Sequence, residues 1–211
     1  MYEPIRKVVI DASNKCSLQC SKCGREWYRN NKVKVPGELL TVDKFKKIIG
    51  YFDEYVEFCG QLSDVTMNPH LPEFLSILHD KKIPSKVSTA ASYRNVDWYI
   101  KAFSANPDTE WVFGIDGLPH ESHNYRKNQN GEKLFDIMKI GSSMGLNITW
   151  QYIVFRYNED HIDQAIQLAK ESNITFELNI SSRWSGPNDP LKPLNPKYVK
   201  IHGTKQSELF S

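Results

Sequence analysis

The sequence predicts an α/β protein, a partial (βα)6 barrel in which parallel strands are surrounded by outer helices. Two observations lead to this prediction. Short apolar, extended segments alternate with amphipathic segments from the amino end to residue 180, and such alternation favours parallel strands joined by right-handed crossovers. Six strand–helix units are also fewer than the eight that close a full barrel, so the sheet should stay partly open.

The first two units lie before residue 86. Apolar runs predict strands over residues 7–12 and 55–59. Between them, Thr41 is a candidate N-cap for a helix whose apolar residues recur with helical spacing over 45–52. A further helix is expected from Leu71, because the proline that follows is tolerated in a first helical turn.

The third unit begins with a predicted strand over residues 86–91. Asn95 then precedes an amphipathic segment over residues 96–103, and asparagine is a favoured helix N-cap. The apolar run at 111–115 predicts the fourth strand.

The last units repeat this pattern. A helix is expected over 133–144, and Gly145 supplies the residue that most often ends one. Residues 147–155 and 174–180 predict the fifth and sixth strands, with a helix over 162–170 between them.

The chain changes character after residue 183. Four prolines follow between residues 187 and 196, and neither a helical nor a strand period is visible there. Prolines at this density favour irregular structure. We therefore expect two parts, a barrel over residues 1–183 and an extended tail over 184–211 that packs on it.

Composition sets broad limits on function. The chain has 211 residues and a net charge of only +2, so its overall charge does not indicate a nucleic-acid binder. It contains no apolar run long enough to cross a bilayer and does not open with a signal peptide, so we expect no membrane partner. Four cysteines, three of them in one motif, are typical of a reducing cytoplasm, and a cytoplasmic protein is expected.

The main chemical motif follows the first predicted strand. Cys16, Cys20 and Cys23 have the spacing C-x3-C-x2-C on one short loop. Soft thiolate ligands suit iron–sulfur chemistry, and three of them can hold three irons of a [4Fe–4S] cluster. The nearest remaining cysteine is Cys59. The fourth iron would therefore be left open to another ligand.

Other uses of these thiols are possible. A structural zinc site needs four ligands, and Cys59 or a histidine could supply the fourth. A disulfide with one free thiol requires an oxidising compartment, and nothing in the sequence indicates one.

The cysteine spacing resembles that of the radical S-adenosylmethionine (radical SAM) family. The resemblance implies that the open iron binds the amino and carboxylate groups of S-adenosylmethionine. One electron from the cluster then cleaves the cofactor to methionine and a 5′-deoxyadenosyl radical, which abstracts hydrogen from a substrate carbon. A one-electron donor such as flavodoxin or ferredoxin is implied as a partner.

The resemblance extends to the ends of the second and third strands. Gly60 and Gln61 stand where the family usually has Gly-Gly-Glu-Pro, a turn that holds the methionine ammonium. Gln61 lacks the usual charge, but its amide oxygen can still accept a hydrogen bond. Ser88 and Thr89 resemble a Ser-Thr-Asn-Gly segment whose hydroxyls reach the cofactor's carboxylate or ribose.

The later strands add further cofactor residues by the same resemblance. Asp116 and Arg126 match a Ser-Ile-Asp-Gly…Arg pattern, which implies that Asp116 accepts hydrogen bonds from sugar hydroxyls. The planar guanidinium of Arg126 would bind the methionine carboxylate. Gln151 and Ile153 alternate on the fifth strand, so both should point into the barrel. Ile153 would lie near the adenine.

The resemblance covers residues 7–183 and is strongest to compact family members of phages and marine bacteria, which implies the host cytoplasm if the chain is phage-encoded. One position departs from the family. The residue before Cys23 is usually aromatic or apolar, whereas here it is Lys22. Auxiliary clusters are not expected, because no cysteine follows Cys59.

The substrate prediction depends on charge distribution. Residues 24–38 carry four basic against two acidic residues, and residues 181–211 carry five against two. Cations near aromatic rings suit phosphates and stacked bases. A nucleotide or nucleic-acid base is therefore the first candidate, a peptide side chain the second and a small metabolite the third. The predicted substrate residues are Arg25, Trp27, Arg29, Arg183 and Trp184.

A different class of function stays open at this point. The same cysteines could belong to a binding protein that holds an iron–sulfur cluster or zinc without catalysing radical chemistry.

Overall fold

The computed structural model describes residues 6–199. It contains one six-stranded sheet, with strands β1 (Lys7–Ile10), β2 (Tyr55–Cys59), β3 (Ser85–Thr89), β4 (Glu110–Gly114), β5 (Ile148–Val154) and β6 (Thr175–Ile180). The strands lie in the order β1 to β6 and every neighbouring pair is parallel. This is the predicted partial barrel of strand–helix units, with β1 and β6 at its two edges.

Helices separate successive strands along the chain, with two helices between β1 and β2. They are α1 (Arg25–Asn30), α2 (Val42–Ile48), α3 (Leu71–Asp80), α4 (Val96–Ala105), α5 (Gly131–Ser143) and α6 (Ile162–Glu171). The predicted caps are confirmed for α2 and α4, where Thr41 accepts a hydrogen bond from the Lys44 N–H and Asn95 accepts one from the Trp98 N–H. Gly145, at φ +86°, follows the end of α5 as predicted.

The core lies between the outer helices and one face of the sheet. Phe58, Val87, Trp111 and Trp150 face the helices, and each is completely buried. On the opposite face the side chains alternate with these along each strand. That inner face carries half-buried polar residues such as Gln151. The functional side chains therefore project from a rigid, apolar support.

Two predicted strands, β1 and β3, end two residues earlier than expected, for identifiable reasons. Ala12 lies beyond β1 because its carbonyl accepts hydrogen bonds from the Leu40 N–H and the Asn68 amide. Ala90 and Ala91 lie beyond β3 because both donate their backbone N–H groups to the carboxylate of Asp64. The six-residue α1 was not predicted.

Beyond β6, the described part of the chain contains only a short 3₁₀ turn at Pro196–Tyr198. The Arg156 N–H, just after β5, donates to the Leu191 carbonyl at 3.0 Å. The extended segment therefore packs on the loops at the carboxyl ends of the strands. The predicted division at residue 183 stays a prediction, and residues 200–211 lie outside the described residues. No helix within residues 6–199 has the length and apolar character needed to cross a membrane.

Candidate cofactor site at the carboxyl ends of the strands

One cavity of about 330 Å³ lies where the carboxyl ends of the strands meet, and Cys16, Cys20 and Cys23 all line it. Its volume is in the range of small-molecule sites. Several other predicted residues share its wall: Arg25, Gly60, Gln61, Ser88, Thr89, Arg126, Gln151, Ile153 and Arg183. Larger cavities elsewhere on the described surface contain none of the cysteines.

The cysteine loop is held in place by its backbone and by one apolar side chain. The Cys23 N–H donates to the Cys20 carbonyl at 3.1 Å, and the Gln19 N–H donates to the Lys127 carbonyl at 3.0 Å. Leu18 is buried against Ala90 and Ala91, beside Cys16 and Cys20. The loop is thereby anchored to the segment that follows β3.

The environment of Cys16 and Cys20 favours the protonated thiol in the metal-free chain. Burial raises the pKa of Cys16 to about 12, and the nearby charge of Asp64 adds to the rise. Burial likewise raises the pKa of Cys20 to about 11. Metal binding at these residues must therefore displace protons, which makes it dependent on pH.

The donor set fits an iron–sulfur cluster. All four cysteines are free of disulfides and line the cavity, three of them from the C-x3-C-x2-C loop and Cys59 from the end of β2. Within residues 6–199, no three His, Cys, Asp or Glu side chains meet closely enough to share one metal ion. A cubane binds each thiolate through a different iron, so its ligands need to line a common cavity without converging on one point.

The loop after β2 is shaped by Asp11, which was not predicted to have a role. Its carboxylate accepts hydrogen bonds from the Gln61 N–H at 3.1 Å, the Leu62 N–H at 3.3 Å and the Ser63 hydroxyl. Gly60 allows the turn to close, because a Cβ at that position would lie 2.1 Å from the Ser63 carbonyl oxygen. Gln61 itself is exposed at the edge of the cavity.

Asp64 is the main functional residue that sequence reasoning missed. Its side chain is buried and lines the cavity. One carboxylate oxygen accepts from the N–H and hydroxyl of Thr66 at 3.0 and 2.5 Å. The other accepts from the Ala90 and Ala91 N–H groups, both at 2.9 Å, and the Thr89 hydroxyl lies within 2.9 Å of both oxygens. Asp64 thus fixes the loop after β2 to the loop after β3.

Asp116 and Arg126 form an ion pair at the cavity floor. The Arg126 Nε lies 2.7 Å from Asp116 Oδ2, but its N–H does not point towards that oxygen. Neither atom has another hydrogen-bond partner among the described residues. Burial raises the pKa of Asp116, with Arg126 opposing the rise. Burial acts to lower the pKa of Arg126, but Asp116, Cys20 and Tyr125 together raise that pKa above its usual value.

This arrangement corrects the predicted contact of Asp116 with sugar hydroxyls. Asp116 is completely buried and does not line the cavity, so its carboxylate is not placed for sugar hydroxyls. Its other oxygen accepts a hydrogen bond from the Ile153 N–H at 2.9 Å. The backbone N–H of Ile153 is therefore used inside the protein, and only its side chain is available to a ligand.

The position of the Arg126 guanidinium depends on the small size of the residue beside it. A Cβ at Gly114 would lie 2.6 Å from Arg126 Nη2, so only glycine leaves room for the guanidinium there. The Gln129 amide donates to the carbonyls of Ala90 and Gly114 at 2.7 and 2.8 Å. Gln129 therefore joins the ends of β3 and β4 beneath the cavity.

A second cavity of about 290 Å³ adjoins the first and shares Tyr125, Gln151, Ile153 and Arg183 with it. Its remaining wall is residues 179–182 at the end of β6. The two cavities therefore meet along these four shared residues.

Two of the predicted substrate residues, Arg25 and Arg29, have partners within the protein. Arg25 donates to the carbonyls of Asn14 and Leu62 at 3.0 and 2.5 Å, and Arg29 pairs with Glu26. Both arginines are thus engaged within the protein, although Arg25 also lines the first cavity.

Trp27 and Trp184, the two aromatic residues among the predicted substrate residues, lie outside the wall of the first cavity. The Trp184 ring packs edge-on against Phe155, and its buried Nε1 lacks a hydrogen-bond partner within residues 6–199. Trp27 is 58% exposed.

Comparison with solved structures identifies the fold. SuiB of Streptococcus suis matches 96% of this chain and 43% of its own length, with a TM-score of 0.63 and 15% identity. The protein anSMEcpe with bound S-adenosylmethionine matches 89% of this chain and 56% of its own, with a TM-score of 0.65 and 16% identity. Methylornithine synthase (PylB) matches 83% and 53%, with a TM-score of 0.57 and 15% identity.

The chain has the radical SAM fold. These neighbours are radical SAM enzymes, and the chain spans about half the length of each. SuiB has been solved with S-adenosylmethionine and with its precursor peptide SuiA, and anSMEcpe with S-adenosylmethionine and a peptide. No protein-family model and no curated protein matches the sequence.

Proposed function

We propose that the chain is a radical SAM enzyme with a [4Fe–4S] cluster on Cys16, Cys20 and Cys23. The observation that supports this most strongly is the convergence of three free thiols and several polar strand ends on one cavity of a radical SAM fold. When bound, the reduced cluster supplies the electron that cleaves S-adenosylmethionine to methionine and a 5′-deoxyadenosyl radical.

The residues of the first cavity would orient the cofactor. Arg126 presents its guanidinium to the methionine carboxylate and is held by Asp116 from behind. The turn at Gly60 and Gln61 offers acceptors to the methionine ammonium, and the buried charge of Asp64 compensates for the missing charge of Gln61. Ser88, Thr89, Gln151 and Ile153 complete the wall.

We propose the second cavity as the place where the substrate carbon approaches. It shares Gln151 and Ile153 with the first cavity, so a ligand there lies beside the cofactor. A peptide segment is favoured as substrate, because two of the predicted substrate arginines already have partners in the protein: Arg25 donates to two backbone carbonyls and Arg29 pairs with Glu26. Structural neighbours with the same core also bind peptides. The second candidate substrate is a nucleic-acid base, which the exposed side chains of Trp27 and Arg183 would contact.

The cluster assignment is tested by replacing each cysteine separately with alanine and reconstituting with iron and sulfide in the absence of oxygen. Loss of any one of Cys16, Cys20 or Cys23 should abolish cluster retention, because two thiolates hold a cubane poorly. Cys59→Ala is the matched control, since Cys59 lines the same cavity outside the motif. Retention in one motif variant, together with loss in Cys59→Ala, would refute the assignment.

The role of Arg126 is tested with Arg126→Lys, because alanine would leave Asp116 buried without a partner. Lysine keeps the charge but loses the planar fork, so S-adenosylmethionine should bind about tenfold more weakly. Arg6→Lys is the control, since the Arg6–Asp53 pair is exposed. Calorimetry on reconstituted protein gives both affinities, and equal values for Arg126→Lys and wild type would contradict the role.

A non-catalytic iron–sulfur or zinc protein is the alternative of another class. It would bind metal through the same cysteines but leave S-adenosylmethionine uncleaved under a strong reductant.

A further inference from the structure

The segment after β6 returns to the loop after β1 and contacts it through Lys22, the residue next to Cys23. Its ammonium lies 2.5 Å from Asp189 Oδ2 and donates to the Ser185 hydroxyl at 2.6 Å. The contact therefore joins the loop that follows β1, one edge strand of the sheet, to the segment that follows β6, the other edge strand. We name residues 185–192 the strap.

The carboxylate of Asp189 is built into the strap. Its side chain is 1% exposed, against 20% for Lys22. It accepts hydrogen bonds from the Ser185 N–H at 2.7 Å and the Leu191 N–H at 3.0 Å. Within residues 6–199, every hydrogen-bond partner of the carboxylate except Lys22 belongs to the strap, so Lys22 supplies the positive charge from the cysteine loop.

The strap is also fastened at its other end. Arg156, just after β5, donates its backbone N–H to the Leu191 carbonyl and its Nε to the Lys192 carbonyl, both at 3.0 Å. The strap therefore bridges the loop after β5 and the cysteine loop. Removing one partner of a buried, hydrogen-bonded charge pair leaves the other uncompensated, so the Lys22 contact should matter to both segments.

We propose that Lys22 is a positioning residue for the cysteine loop, which it fastens to the strap through Asp189. The strap thereby lies against the loop that carries Cys23. Strap docking and cluster binding stabilise each other, because an ordered loop favours both and such coupling is reciprocal. The part of this inference that concerns the cluster rests on the proposed function.

The first experiment uses the metal-free chain. Hydrogen–deuterium exchange is measured for residues 16–24 and 185–192 in wild type, Lys22→Met, Asp189→Asn and the double variant. Each single variant should raise exchange at least tenfold in both segments, and the double variant should add little, because the two residues act as one pair. Lys44→Met is the control, since its exposed pair with Glu38 lies outside both segments.

The second experiment measures iron release from reconstituted protein to a chelator. Lys22→Met and Asp189→Asn should release iron at least tenfold faster than wild type and Lys44→Met, whereas Lys22→Arg should retain most of the protection. Unchanged exchange in the cysteine loop, or additive effects in the double variant, would overturn the inference. If wild type binds no iron while exchange behaves as expected, the proposed function fails and the strap contact stands.

Discussion

Replacing Asp64 by asparagine should separate the two loops that form the cofactor cavity. The carboxylate accepts hydrogen bonds on both oxygens, from Thr66 on one side and from the Ala90 and Ala91 N–H groups on the other. Asparagine has one acceptor oxygen. If that oxygen stays with Thr66, the NH₂ group faces two buried backbone donors, which then lose their partner.

Each lost partner of a buried donor costs about 1–3 kcal/mol. Two of them give about 2–6 kcal/mol, and relief from burying a charge offsets part of this cost. We therefore expect Asp64→Asn to lower the free energy of unfolding by about 2–4 kcal/mol. The affinity of the reconstituted protein for the cofactor should fall as well, because the loop that contains Gly60 and Gln61 loses its attachment to the loop after β3.

Urea denaturation followed by circular dichroism measures the first effect. Asp108→Asn is the matched control, since its side chain is 85% exposed and the change should stay within about 0.5 kcal/mol. Equal midpoints for Asp64→Asn and Asp108→Asn, with equal denaturant slopes, would refute the role given to Asp64.

Three further predictions test the walls of the cavity. Gly60→Ala should distort the turn and abolish cofactor binding by calorimetry, because its Cβ would lie 2.1 Å from the Ser63 carbonyl oxygen; wild-type affinity would contradict this. Gly114→Ala should push Arg126 aside and weaken cofactor binding about tenfold at a cost of about 1–3 kcal/mol in stability; a stable variant with wild-type affinity would show that Arg126 is not a cofactor ligand. If single-stranded DNA binds, Arg183→Ala should make its salt dependence shallower by about one unit; a wild-type slope would remove Arg183 from the substrate site.

Much of the fold could be predicted because the information is local. Strand–helix alternation, the Thr41 and Asn95 caps and the stop at Gly145 are each written in a few neighbouring residues. Helix α1 escaped prediction because its six residues are too few to show a period, and Gly24 provides no side-chain cap.

The candidate site was predictable only where residues follow a recognisable pattern. The cysteines and most polar strand ends lie in one cavity as the spacing implies. The role of Asp64 could not be predicted, because the backbone groups that it holds, those of Ala90 and Ala91, follow another strand. The contact between Lys22 and Asp189 joins residues 167 positions apart, and no local pattern encodes such a pair. The pairing of Arg29 with Glu26 could not be predicted because it lies on α1, which the sequence did not indicate.

The most direct test of the account is the reaction of the reconstituted chain with S-adenosylmethionine under a strong reductant, in the absence of oxygen. The account predicts about four irons per chain, the visible absorption of a [4Fe–4S] cluster, and methionine and 5′-deoxyadenosine in equal amounts. The Cys23→Ala variant should yield neither product. Stoichiometric zinc without iron, or a full cluster that leaves S-adenosylmethionine intact, would contradict the proposed radical SAM activity.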